Sequence, residues 1–194
     1  HSFPTRRSSD LQDGGREGLR QSGISRCGAL DYPSLVIANL LVGNEANAAG
    51  LEITLGQVEI EFARSGWFAL TGAACEATLD GKAVWVGWRT AYRAGQRLVL
   101  KTPQHGIRSY LAVAGGVAVP VVLGSRSTDL KAGIGGLEGR RLQDGDQLKL
   151  GKAARRFTTS RGVKQLPLGN RIRALPGPEY HEFDAASQAS FWRS

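Results

Sequence analysis

The sequence predicts a mainly β protein with one or two short helices, and three observations support this class. Short apolar runs alternate with polar residues at a period of two, as expected of half-buried strands. Turn-forming residues, many of them among the 26 glycines, separate these runs at intervals of roughly 8–12 residues. Helical patterning is confined to two segments. Many short strands with few helices favour a closed or sandwiched β architecture.

The predicted strands follow one another along the chain, each bounded by turn residues. They comprise residues 51–55, 58–62, 67–71, 77–86, 96–100, 109–113, 143–150 and 171–175. Asp80-Gly81 divides the fourth of these segments into two alternating runs, and this dipeptide favours a two-residue hairpin turn. The sequence therefore predicts a β-hairpin there.

Two segments carry helix signals. Residues 34–42 follow Asp31, a residue suited to the N-cap, and Pro33 stands where the first turn begins. We expect a buried helix of about three turns there, because a turn holds 3.6 residues. Residues 184–192 begin with a second N-cap candidate, Asp184, and predict a second helix.

The composition is that of a folded protein of one domain or two small ones. Of the 194 residues 41% are apolar, which is too many for a disordered chain. The longest apolar stretch, residues 111–124, is about 14 residues long and falls short of the ~20 that a membrane-spanning helix needs. No apolar signal segment is present, and two cysteines make no disulfide framework. These features predict a cytoplasmic protein without a membrane partner.

Positive charge is concentrated in one part of the chain. Lys and Arg number 25 against 17 Asp and Glu, which gives a net charge of +8. Nearly all of the excess lies within residues 138–175. Since aromatic residues are not interleaved with these charges and no nucleic-acid-binding motif is present, a nucleic acid is not the expected partner. A solvated face or a contact with an acidic subunit is the favoured interpretation.

Two glycine-rich segments approach nucleotide-binding motifs without matching them. In residues 133–139, Glu138 stands where a dinucleotide fingerprint needs its third glycine. Residues 145–152 have the wrong spacing for a phosphate-binding loop, and Ala153 replaces the required hydroxyl residue. The three histidines are too far apart in the sequence to indicate a metal site. No metal is therefore expected.

The remaining candidates for chemistry are polar residues in glycine-bearing loops, within residues 11–18, 124–129 and 135–140. Glycine lets backbone N–H groups approach a ligand closely. Arginine with serine or threonine donors suits a carboxylate, a phosphate or a ureido oxygen. Turn scaffolding with Arg–Asp surface pairs explains the same residues equally well.

These segments resemble the allophanate hydrolase subunit 2 (KipA) family, which includes one of the subunits of bacterial 5-oxoprolinase and the carboxyltransferase part of urea carboxylase. The similar segments are residues 11–18, 22–31, 38–44, 51–56, 70–73, 110–116, 123–130 and 135–142. The resemblance implies a cyclophilin-like β-barrel half. It covers the family's first half and the link that follows. Since the chain also lacks methionine, we expect it to be truncated at both ends.

The resemblance also implies a domain organisation. Residues 1–10 do not match and are interpreted as an N-terminal extension. Residues 11–150 are expected to form the first cyclophilin-like β domain. Residues 151–194 are expected to be a basic linker and the incomplete start of the second half.

The function implied is that of a subunit of an ATP-dependent 5-oxoprolinase complex, which hydrolyses 5-oxoproline to glutamate. ATP acts at the level of the complex and is not bound by a motif in this chain. The implied partners are a similar second subunit and a third subunit. Two alternatives stay open: the carboxyltransferase part of a biotin-dependent urea or amide carboxylase, and a non-catalytic regulator that binds a kinase inhibitor. The fragment alone is not expected to complete a catalytic cleft.

The resemblance, taken with the residue types, suggests roles for eight side chains. A carboxylate or an activated carbonyl-phosphate needs cationic and hydroxyl donors, and a developing oxyanion needs nearby positive charge. The predicted catalytic residues are Arg126, Ser125 and Arg16. The predicted substrate-binding residues are Thr128, Arg140, Asp13, Asn39 and Glu52, of which the last two are equally suited to bracing turns.

Overall fold

The computed structural model describes residues 9–164 and 174–193. The chain divides into two compact units, residues 1–164 and residues 165–194. The first unit carries the β structure, and each unit is described by itself below.

Two antiparallel sheets make up the described part of the first unit. One sheet has the strand order β1-β2-β9-β4-β7 and the other β3-β8-β5-β6. The strands, in chain order, are β1 (Ser9–Gln12), β2 (Gly50–Thr54), β3 (Val58–Glu61), β4 (Gly66–Ala74), β5 (Ala77–Leu79), β6 (Lys82–Val84), β7 (Arg89–Tyr92), β8 (Arg97–Leu100) and β9 (His105–Val113). The predicted mainly β class is confirmed. Over the described residues the two sheets stay separate ladders and do not close into a barrel.

The core lies between side chains that both sheets contribute. Leu70 and Leu111 come from the five-stranded sheet and Leu98 from the other, and each is at most 1% exposed. Phe62 stacks on Tyr92 of β7, with ring centroids 3.7 Å apart. Burying each such side chain contributes about 1.5–3 kcal/mol. The alternating apolar positions of the strands are therefore what joins the sheets.

Helix α1 (Tyr32–Leu41) packs on the five-stranded sheet against β4 and β9. Asp31 caps it, because its carboxylate accepts a hydrogen bond from the backbone N–H of Ser34. Ala38 on the helix meets Ala69 and Ala112 on the sheet, and these small side chains allow a close approach. The predicted first helix is confirmed.

The predicted hairpin is also confirmed. Strands β5 and β6 pair around Asp80 and Gly81, which have φ angles of 47° and 77°. Both values lie in the left-handed region that a type I′ turn requires. The Asp80 carboxylate also accepts a hydrogen bond from the backbone N–H of Arg97 at 2.8 Å, which ties the turn to β8.

Strand β1 was not predicted from the sequence, whose first predicted strand is residues 51–55. Ser9 pairs with Ile53, and Asp10 pairs with Glu52 of β2. Both residues therefore belong to the sheet, although the sequence alone assigned residues 1–10 to an extension. The residues around them are mostly polar and do not alternate as in a strand, so only the pairing in the structure shows that they belong to one.

Two other segments differ from expectation. Residues 143–150 form no continuous strand in the structure, because pairing is limited to a bridge between Leu150 and Val117. Residues 151–164, within the expected linker, belong to the first unit and are hydrogen-bonded to its sheet: the Arg89 N–H donates to the Arg161 carbonyl at 2.8 Å. The predicted strand 171–175 lies partly outside the described residues.

The second unit contains a 3₁₀ helix (Pro178–Glu182) and helix α2 (Ala185–Phe191). The Asp184 side chain accepts a hydrogen bond from the Ser187 N–H at 2.8 Å, so the predicted N-cap and helix are confirmed. Within residues 9–164 and 174–193, no helix has the length and apolar character needed to cross a bilayer.

The pH dependence of stability is expected to reveal the burial of Asp10. Burial, with a smaller contribution from Glu52, raises the pKa of Asp10 from 3.8 to about 6, although Gln12 donates a hydrogen bond to it. The unfolded chain then loses this proton before the folded protein does, so stability falls as the pH rises from about 4 to about 6. We expect Asp10→Asn to gain about 1–3 kcal/mol at pH 8 and nothing near pH 3.5, as measured by urea unfolding.

The exposed Glu45→Gln variant is the matched control, since it removes one carboxylate without relieving burial. An Asp10→Asn gain of the same size at both pH values would contradict a titrating, buried Asp10.

Candidate functional site

The carboxylate of Asp13 joins two loops that are more than a hundred residues apart in the sequence. Its Oδ1 accepts hydrogen bonds from the hydroxyls of Ser125 and Ser127, both at 2.6 Å, and from the Gly15 N–H at 2.8 Å. Its Oδ2 accepts the backbone N–H of Arg126 at 2.6 Å. The side chain is nearly fully buried, so the carboxylate replaces water with these four donors.

This network keeps Asp13 ionised. Burial alone would raise the pKa of the carboxyl group, but the hydrogen bonds from Ser125, Ser127, Arg126 and Gly15 outweigh it and hold the pKa below its usual value. The site therefore contains a buried negative charge whose hydrogen-bond partners are groups of the protein itself.

The loop that follows Leu123 runs beside β1. The Thr128 hydroxyl donates to the Leu11 carbonyl at 3.1 Å and accepts the Leu11 N–H at 3.3 Å. Gly136 packs directly on Thr128, because a Cβ at that glycine would overlap the threonine hydroxyl. The hydroxyls of Ser125 and Thr128 are therefore engaged in positioning the loop.

Arg16 is buried inside the same cluster, with 2% of its surface exposed. Its Nε donates to the Val122 carbonyl at 3.2 Å and its Nη2 to the Ser127 carbonyl at 2.7 Å. Its Nη1 is buried and has no hydrogen-bond partner among the described residues. Gly135 lies against the guanidinium, where a Cβ would overlap both it and the Ser127 carbonyl. Gly135 thus makes room for a buried cation.

Arg126 is the half-buried cation of the cluster. Its Nε donates to the Val119 carbonyl at 3.0 Å, and its two terminal nitrogens have no hydrogen-bond partner within the described residues. A cavity of about 570 Å³ lies nearby; Val119, Val122 and the 133–139 loop line it, but neither Arg126 nor Arg16 does. The carbonyls that hold Arg126 and Arg16 thus belong to residues of this cavity wall. We call Asp13, Arg16, Ser125, Arg126 and Thr128, with this wall, the Asp13 cluster.

Cys27 is a neighbour that the sequence did not single out for this site. Its thiol is close enough to the Asp129 carboxylate and to Arg16 to interact with both electrostatically. Burial, together with Asp129, raises the pKa of the Cys27 thiol, so it is protonated near pH 7. A protonated thiol is not an activated nucleophile. No local sequence signal indicates this contact, since Cys27 and Asp129 are distant in the chain.

Arg140 is engaged outside the Asp13 cluster. Its two terminal nitrogens bind the Asp146 carboxylate at 2.7 and 2.9 Å. This bidentate pair, together with Glu138, raises the pKa of Arg140 above its ordinary value. A substrate-binding role for Arg140 stays a prediction. Its observed contact, the pair with Asp146, stabilises the chain directly after the 133–139 loop.

Asn39 supports the end of α1. Its amide nitrogen donates to the carbonyls of Ala46 at 3.3 Å and Ala48 at 2.8 Å, and the residue is fully buried. It therefore fixes the turn between α1 and β2. Any contact with a substrate stays a prediction.

Glu52 supports the start of α1 in a similar way. Its carboxylate accepts the Leu30 N–H at 2.9 Å and the Tyr110 hydroxyl at 2.8 Å, and it pairs with Arg108 at 3.0 Å. Bracing of turns, one of the two roles suggested for Asn39 and Glu52, is what the structure shows. In the described residues no group of three or more His, Cys, Asp or Glu is arranged to hold a metal ion.

Asp13→Asn is expected to destabilise the fold. One amide oxygen can still accept the two serine hydroxyls, but the amide nitrogen then faces the Arg126 N–H, so two donors oppose each other. We expect a loss of about 2 kcal/mol at pH 7, measured by urea unfolding.

The loss is expected to shrink as the pH falls below about 4, because Asp13 of the unfolded wild-type chain then takes up a proton, whereas the lowered pKa of the folded protein delays this to lower pH. Glu45→Gln, an exposed change of the same kind, controls for the loss of one charge. Stability of Asp13→Asn equal to that of the control at pH 7 would contradict the network.

The sequence of the chain matches that of known proteins over most of its length. Residues 22–194 match the family model described as "Carboxyltransferase domain, subdomain A and B". The chain is 72% identical to a 5-oxoprolinase subunit of Escherichia coli (strain K12) over 184 residues, which cover 95% of this chain and 59% of that protein. It is 36% identical to a putative urea carboxylase of Emericella nidulans, over 80% of this chain and 13% of that protein.

The fold is similar to that of a solved relative. The crystal structure of TTHA0988 superposes with a TM-score of 0.79 at 35% sequence identity, and the match covers 92% of this chain and 68% of that chain. The resemblance to a 5-oxoprolinase subunit and to urea carboxylase is confirmed, and the chain spans 59% of the length of the former. Because the family model covers most of the chain, this protein belongs to the family of carboxyltransferase domains with subdomains A and B.

Proposed function

We propose that this chain is part of a subunit of an ATP-dependent 5-oxoprolinase, an amidohydrolase that opens the lactam ring of 5-oxoproline to give glutamate. The observation that supports this most strongly is the 72% identity to the Escherichia coli subunit over 95% of the chain. Since the chain spans 59% of that relative's length, the activity is assigned to the longer protein in its complex. The proposed partners are a similar second subunit and a third subunit in the cytoplasm.

The chemistry of 5-oxoproline suits the two arginines of the Asp13 cluster. The substrate carries one carboxylate and one lactam carbonyl, whose oxygen gains negative charge during attack. A guanidinium binds a carboxylate through two parallel N–H donors, and the terminal nitrogens of Arg126, which have no hydrogen-bond partner among the described residues, suit this contact. Arg16, held by the Val122 carbonyl, adds positive potential that favours the developing oxyanion.

The other residues of the proposal act through Arg126. Ser125 and Asp13 fix the backbone of the loop that carries it, and Thr128 ties that loop to β1. Arg140 braces the glycine loop that forms the opposite part of the cavity wall. ATP is consumed by the complex, where phosphorylation of the lactam oxygen makes the ring carbon more electrophilic.

Loss of the Arg126 guanidinium is expected to reduce turnover without unfolding the protein. In the full-length protein assembled with its partner subunits, we expect Arg126→Gln to lower kcat/KM for 5-oxoproline about 100-fold, as for the removal of one donor to an oxyanion. Arg126→Lys is expected to recover part of the loss, because it keeps the charge but not the forked geometry.

Arg20→Gln, which removes an exposed arginine outside the cluster, is the matched control. Thermal unfolding of each variant checks the fold. Unchanged turnover in a folded Arg126→Gln complex would contradict the assignment.

A biotin-dependent carboxyltransferase acting on urea or a similar amide is the second candidate, favoured by the identity to the putative urea carboxylase. Avidin distinguishes the two, because it sequesters biotin. Turnover of 5-oxoproline that avidin leaves unchanged supports the 5-oxoprolinase proposal. Carboxylation of an amide that avidin abolishes would favour the carboxyltransferase instead.

A further inference from the structure

A second cavity, of about 400 Å³, lies in the first unit and shares no lining residue with the cavity beside the Asp13 cluster. It forms where residues 151–157 pack over the start of β4. Its walls include Trp67 of β4, Tyr92 of β7 and Phe157. Its size is within the ~300–1,000 Å³ typical of small-molecule sites. We call it the Trp67 cavity.

The charged side chains of the Trp67 cavity are all cationic. Arg64, Lys152, Arg155 and Arg156 line it, and its described lining contains no Asp or Glu. None of the four forms an ion pair with a carboxylate in the part of the chain that the structure describes. Like charges gathered in one cavity repel one another, and a bound anion removes that cost.

Two of these exposed cations have contacts with the rest of the unit. Arg64 donates to the Gly151 carbonyl at 2.8 Å. Gly43, which follows α1, lies so close to the aliphatic part of Arg155 and to the ring of Phe157 that a Cβ there would collide with both. Residues 151–157 are therefore packed against the remainder of the first unit.

Flat apolar surfaces lie beside these charges. Trp67 and Phe157 meet edge to face with their ring centroids 5.9 Å apart, and both are half-buried. The guanidinium of Arg89 stacks over the Phe157 ring at 3.9 Å, which adds a fifth cation next to the cavity. Aromatic rings of this kind bind planar heterocycles by stacking.

We infer that the Trp67 cavity binds a nucleoside phosphate, with the phosphates on Arg155, Arg156 and Lys152 and the base against Trp67 and Phe157. Guanidinium groups match phosphate oxygens in geometry, and the absence of carboxylates from the lining removes the competing partner. The inference goes beyond the proposed function and does not depend on it, because it concerns binding alone.

Direct binding of ADP to the full-length protein tests this assignment. Isothermal titration calorimetry without 5-oxoproline is the measurement, with adenosine and tripolyphosphate as separate probes. We expect ADP to bind more tightly than either probe, because each lacks one half of the recognition. Raising the salt concentration from 50 to 200 mM is expected to weaken the binding of ADP more than that of adenosine.

Two variants separate the halves of the site. The double change Arg155→Gln with Arg156→Gln is expected to lower the affinity for ADP at least about tenfold, since charge-assisted hydrogen bonds are lost. Phe157→Leu is expected to lower the affinity for ADP at least about fivefold while leaving the affinity for tripolyphosphate unchanged. Arg20→Gln with Lys82→Gln removes the same charge from exposed positions elsewhere and is the matched control.

Several outcomes would overturn the inference. These are no ADP binding by the folded protein, tripolyphosphate binding as tight as ADP, or equal weakening in the control. Tighter binding of a polyglutamate peptide would indicate an acidic protein partner instead, and affinity that grows with the length of an oligonucleotide would indicate a nucleic acid. Because 5-oxoproline is absent, failure here leaves the proposed function untouched.

Discussion

The buried carboxylate of Asp13 is the contact on which the arrangement of the candidate site depends. It receives four hydrogen bonds, three of them from residues 125–127, which lie far from it in the chain. A buried charge is tolerated only when it is satisfied in this way. The loop after Leu123 therefore has one favourable position, and the side chain of Arg126 leaves that loop toward Val119.

The glycines of the site are explained by the same constraint. Gly135 and Gly136 lie directly on Arg16 and Thr128, where a larger residue would push the loops apart. Polar side chains that suggest ligand binding in the sequence thus have a structural task first. Serine and threonine hydroxyls form hydrogen bonds inside the protein, whereas among the described residues Arg126 and the Nη1 of Arg16 keep donors without partners. Because the roles are divided in this way, we expect a substitution of Arg126 to weaken substrate binding and a substitution of Asp13 to lower the stability of the fold.

Much of the fold could be predicted because its signals are local. The Asp80-Gly81 turn and the Asp31 cap each act over a few residues, and both are present as expected. Residues 151–164 carry no such signal. Their contacts are made with Gly87 and Arg89 across the chain, so their docking was not visible in the sequence.

The site could be predicted only in part, for the same reason. Composition and the family resemblance singled out the segments that meet, but not the direction of their side chains. The hydrogen bonds from Ser125 and Ser127 to Asp13 join residues more than a hundred positions apart, and the hydroxyls point inward. Period and motif report which residues are near in sequence, whereas these contacts depend on which loops are near in space.

In the proposed function, the loop fixed by Asp13 presents Arg126 to an anionic substrate. The decisive measurement is a crystal structure of the full-length protein with 5-oxoproline bound. We expect the substrate carboxylate to lie within hydrogen-bond distance of the terminal nitrogens of Arg126, with the Asp13 contacts intact. A substrate bound elsewhere, with Arg126 turned away from it, would show that this role is wrong.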